Sequence, residues 1–206
     1  MVEQNLNALW WCRLAIATSA FVSLACFGFF GYIANRAPSS MMLMIRRTNF
    51  EHFPEILSLC VNIVVTLCMD GMGYVHAVSL RWALYAEGRL EFNTNLRLLT
   101  SAKESSPNSW LANAAWVVLL ILSYVVTSTL VLSEYENWAD GDEIVGEDAW
   151  INGIVILGLV SALLGQAILS LWCLRERRSL NYIKTWSLNP LINTLACLEV
   201  RYITYR

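Results

Sequence analysis

Residues 56–80 read ILSLCVNIVVTLCMDGMGYVHAVSL, and this stretch decides how the chain is understood: it is apolar over the width of a bilayer except for one carboxylate, Asp70. Crossing about 30 Å of hydrocarbon takes roughly 20 helical residues. Residues 56–69 alone fall short of that, so the helix either runs on through Asp70 or breaks at Gly71 and Gly73. Continuation is the expectation. Irregular backbone at membrane depth has to be buried in protein or face a water-filled cavity, and residues 74–80 resume an apolar pattern.

Three further stretches, 14–34, 110–132 and 150–174, carry no charge and are long enough to span. Composition agrees: 57% of the 206 residues are hydrophobic, 15% are charged, and the mean hydropathy is +0.50. The first stretch exceeds the roughly 7–15 residues of a signal-peptide core, so it is expected to be a retained anchor. Net charge is -2 and the 14 basic residues are scattered, which argues against nucleic acid as a partner. The expected fold class is therefore all-α, an integral membrane bundle of four helices forming a single membrane domain.

Lysine and arginine set the expected orientation. With the N-terminus in the cytoplasm, the inner side holds 11 basic residues and the outer side 3, namely Arg36, Arg46 and Arg47. Both termini should then be cytoplasmic, and Trp10, Trp11, Trp82, Tyr85, Trp110, Trp150 and Trp172 fall at the proposed span ends, as interfacial aromatics do. Residues 81–109 become a cytoplasmic loop with a breaker-rich Ser105-Ser106-Pro107-Asn108, and residues 35–55 a short outer connection. Residues 133–149 form an outer loop with seven acids and no base. Residues 175–206 form a basic tail in which Asn189 and Pro190 open a short interfacial helix.

The acidic loop does not fit a calcium hand. Counting from Asp140, the third ligand position is Ile144, Gly146 comes one place late, and the twelfth position is Ile151. A solvated acidic cap is expected instead. The six cysteines show no C-x-x-C spacing and read as small packing residues. His52 and His76 lack a convergent ligand set, and no catalytic or nucleotide-binding motif is present, so no cofactor, no metal and no enzymatic activity are expected.

Two patterns remain as candidates. Asn62, Thr66 and Asp70 follow one another by four residues and continue to Gly73, Ala77 and Arg81, a polar and small stripe along one side of helix two. An acid at this depth is costly, so the stripe is expected to face the bundle interior, with Ser123, Thr127 and Ser128 on helix three and Gln166 and Ser170 on helix four as partners. Asp70 is then either a hydrogen-bonded strut or a proton or cation site. On helix four, Gly158, Ala162, Gly165 and Gln166 form a small face suited to close helix packing, within the chain or against a second one, with Gln166 bonding across the contact.

The segments LRWALYAEGRLEFNTNLRLLTSAKESSPNSW (80–110) and KTWSLNPLINTLACL (184–198) resemble a group of multi-pass membrane proteins of filamentous and mushroom-forming fungi, over helix two, the loop after it, helices three and four and the tail. The resemblance implies a fungal membrane protein and assigns no activity or site residues. The leading functional expectation is a non-enzymatic structural or interaction component of a membrane. Its partners would be the lipid bilayer and either a second copy or another membrane protein, met through the small face of helix four. The alternative is a small transporter or channel subunit using Asp70 with Asn62 and Thr66.

Overall fold

A computed structural model of the chain describes residues 2–45, 53–89, 100–134 and 148–176. The acidic stretch, apart from its two edges, the tail beyond residue 176, and His52 lie outside the described residues.

Among the described residues four α-helices predominate: α1 Val2–Arg36, α2 Phe53–Ala86, α3 Trp110–Ser128 and α4 Gly153–Glu176. All four contain a stretch long and apolar enough to cross a membrane. α2 is unbroken through Gly71 and Gly73, as the sequence suggests. Gly71 is explained by a close approach, since a Cβ there would lie 3.0 Å from the Cβ of Ala15 on α1. Pro54 and Glu55 occupy the first turn of α2, where a missing N–H costs nothing and a carboxylate meets the positive end of the helix dipole. Ser109 caps α3 by accepting from the Ala112 N–H, after a short 3-10 turn over Ser106–Asn108.

α4 is the central helix. It packs extensively against α1 and α3 and less so against α2. Ile33, Val65, Met69, Val126, Leu130, Ile151, Leu159 and Leu163 form the main apolar core, and a second cluster of Cys12, Val75 and Val78, flanked by Leu9 and Leu174, joins α1, α2 and α4 at the other end.

One feature departs from the expected bundle. Strands β1 Met42–Ile45, β2 Val131–Glu134 and β3 Asp148–Asn152 form an antiparallel sheet in the order β1-β3-β2, with Leu43 and Val131 both opposite Ile151. Residues 131–132 and 150–152, expected at helix ends, are therefore strand. Their apolar character suits either structure, and long-range pairing decides between them. Many large apolar side chains face outward, including Phe21, Leu67, Trp110, Ile154 and Ile168, each at least 65% exposed. A surface this apolar all round suits lipid as its solvent rather than water.

Candidate functional site

Polar groups gather first at the end of α2 away from the sheet. His76, 2% exposed, donates from Nε2 to Asn113 Oδ1 on α3 at 3.0 Å, and its ring stacks on Trp116 at 5.2 Å between centroids. Asn113 Nδ2 in turn donates to the Thr100 carbonyl at 2.8 Å. Asn108 donates from Nδ2 to Ser79 Oγ at 3.0 Å and to Ser105 Oγ at 2.8 Å, while its backbone carbonyl accepts from the Ala102 N–H at 2.9 Å. These bonds fasten residues 100–109 across the ends of α2 and α3. The sequence marked Ser105–Asn108 only as a breaker, and Asn113 in a helix otherwise rich in apolar residues was the available sign of a buried polar pair.

Glu87 closes the same region. Its side chain keeps 6% of its surface exposed; Oε1 accepts from the backbone N–H of Lys103 at 2.6 Å and of Glu104 at 2.8 Å, and Oε2 takes the Arg89 guanidinium at 2.9 Å. Burial pushes the carboxyl up, but the Glu104 N–H, the Arg89 guanidinium and the Lys103 N–H together outweigh it and hold Glu87 below the ordinary glutamate value. Gly88, at φ 66°, makes the left-handed turn that ends α2, and the Arg89 N–H closes back onto the Leu84 carbonyl at 2.9 Å. A cavity of about 170 Å³ lies beside this clamp, lined by residues including Ser79, Trp82, Glu87, Glu104, Asn108 and Cys173. Among the described residues no three His, Cys, Asp or Glu side chains converge as metal ligands.

The small face of α4 packs inside the chain. A Cβ on Gly158 would meet Val126 Cγ2 at 3.2 Å, and one on Gly165 would meet Leu119 Cδ1 at 2.8 Å. Ala162 and Gln166 are fully buried, and Gln166 Nε2 donates across the contact to Ser123 Oγ on α3 at 3.3 Å. Of the two uses expected for this face, packing within the chain is the one seen: α3 occupies it. Close approach of two helices at small residues explains the pattern without a second chain.

The stripe on α2 is the larger correction. Asn62, Thr66 and Asp70 are exposed and do not face the bundle interior. The core-facing side of this half of α2 is carried instead by Leu57, Val61, Val65, Cys68 and Met69. Ser123 and Gln166, expected as partners of Asp70, bond to each other. No hydrogen bond or ion pair links the Asp70 side chain to another described residue. The reason lies in which side of the helix is covered: Val61, Val65 and Met69, spaced by the same four residues, take the core, and Asn62, Thr66 and Asp70, each one residue or about 100° further round, face outward.

Asp70 lies within two residues, or about 2 Å along the axis, of the midpoint of the apolar span Phe53–Leu84. Left in hydrocarbon, an aspartate at the centre of a span costs roughly 2.5–3.5 kcal/mol on insertion scales. Its side chain is too short to reach the interface as a lysine can. An open cleft of about 380 Å³ adjoins the stripe at the sheet end, lined by Pro54, Glu55, Ser58, Leu59, Asn62 and Val131. Comparison of the chain with protein-family models, curated proteins and solved structures finds no match.

Proposed function

We propose that this chain is a multi-pass integral membrane protein with both termini and the 87–109 segment on the cytoplasmic side, acting as a non-enzymatic component that assembles with another membrane protein through α2. The observation that carries this reading is the exposed row Asn62, Thr66 and Asp70 near the middle of an apolar span, with no partner within the described chain for the carboxylate. Polar side chains at membrane depth are kept where they find a partner or a wet passage. The polar groups at the other end of α2 are largely occupied in fastening residues 100–109, and the small face of α4 is filled by α3, so α2 is the helix with recognition chemistry to spare.

The alternative is a transporter or channel subunit that moves a cation past Asp70. It draws on the same three residues, but the cleft beside Asn62 is not lined by Thr66 or Asp70, so assembly has the broader support.

The test is a photo-crosslinker placed in turn at Asn62, Thr66, Val118 and Ile168 in the full chain in native membranes. Protein adducts should form at Asn62 and Thr66 and be several-fold weaker at Val118 and Ile168, which are also exposed. Equal labelling at all four positions, or none on α2, overturns the assembly reading. Loss of ion-dependent uptake in Asp70→Asn, with adducts unchanged, favours the transporter.

A further inference from the structure

We infer that the Asn62–Thr66–Asp70 face of α2 receives a transmembrane helix of a different protein, one that carries a lysine or arginine near the middle of the bilayer. The inference rests on the membrane assembly reading above and adds the chemistry of the partner. Charge complementarity selects it. Asp70 is the sole charged residue within 14–34, 56–80, 110–132 and 150–174, so no other span of this chain can neutralise it at that depth.

A second copy offers a poorer match. Copies inserted in the same direction are related by an axis along the membrane normal, which brings Asp70 to the depth of its own equivalent and sets acid against acid. A basic side chain on a different helix removes the mismatch, and pairing is how ionisable groups inside membranes are normally accommodated. Thr66 and Asn62 stand about 6 and 12 Å along the axis from Asp70, so a hydroxyl and an amide continue the contact over two more turns. Leu59, Ile63 and Leu67, all at least 50% exposed, supply the apolar flank on which a helix can lie. The cleft bounded by Pro54, Leu59 and Val131 lets that helix approach closely toward the sheet end.

The experiment uses the purified full chain, labelled with a donor fluorophore and reconstituted in phosphatidylcholine vesicles. The probe is an acceptor-labelled leucine-alanine transmembrane peptide with one central lysine; peptides with central leucine and central glutamate are the comparators. The lysine peptide should bind at least about tenfold more tightly than the leucine peptide, equivalent to about 1.4 kcal/mol. The preference should vanish in Asp70→Asn and survive in Asp70→Glu. Equal binding of the lysine and leucine peptides, or a preference that persists in Asp70→Asn, overturns the inference. Energy transfer between copies of the chain that is lost in Asp70→Asn also overturns it, by assigning the face to a second copy. If Asn62 and Thr66 still crosslink to other proteins while the lysine preference is absent, the partner's charge is wrong and assembly stands; if both fail, the assembly reading fails with it.

Discussion

The two halves of α2 meet different surroundings although one continuous helix carries both. From Met72 to Leu84 every residue is buried or half-buried, enclosed by α1, α3, α4 and the 100–109 segment. From Glu55 to Asp70 one side is covered and the rest lies open. Polar side chains in the enclosed half, His76 and Ser79, are hydrogen-bonded to neighbours; Asp70 in the open half is not. In water the informative polar group is the buried one. In lipid the assignment inverts, because an exposed carboxylate meets a solvent that cannot hydrogen-bond to it.

That contrast can be broken from the enclosed side first. Trp116→Ala removes a 4% exposed indole stacked on His76 and should destabilise the folded chain by about 3 kcal/mol, measured by unfolding in mixed detergent micelles. A smaller effect is expected at the clamp, where Glu87→Gln should cost about 1–3 kcal/mol in the same assay. Because the folded Glu87 titrates below its unfolded value, its contribution is complete above the ordinary carboxylate range and is lost as pH falls through the lowered folded value. The wild type should therefore lose stability in acid over that range, and Glu87→Gln should flatten the loss. The smallest effect belongs to the open half: Leu67→Ala, 67% exposed, should change the stability of the isolated protein by less than about 0.5 kcal/mol.

The four helices were legible in the sequence because lipid imposes one strong rule, an uninterrupted apolar run of sufficient length, and that rule also carried α2 through Gly71 and Gly73. The small face of α4 and the Gln166 contact followed from residue size and spacing. The sheet was not legible. Its strands are four or five residues long and adjoin helices of similar composition, and the pairing of β1 with β3 joins residues more than a hundred positions apart. The facing of the α2 stripe was not legible for a different reason. Four-residue spacing places Asn62, Thr66 and Asp70 on one side of the helix but does not say which side the other helices cover, and Val65 and Met69, one residue before Thr66 and Asp70, took the core position.

The most direct test is a nitroxide scan of α2 in the purified protein reconstituted in lipid vesicles, reading collisions with oxygen and with a water-soluble nickel chelate. Oxygen contact should be high and nickel contact low at Ile63, Thr66, Leu67 and Asp70, with little of either at Leu80 and Leu84. Contact at Leu80 and Leu84 as high as at Leu67, or strong nickel contact at Asp70, would contradict that arrangement of α2.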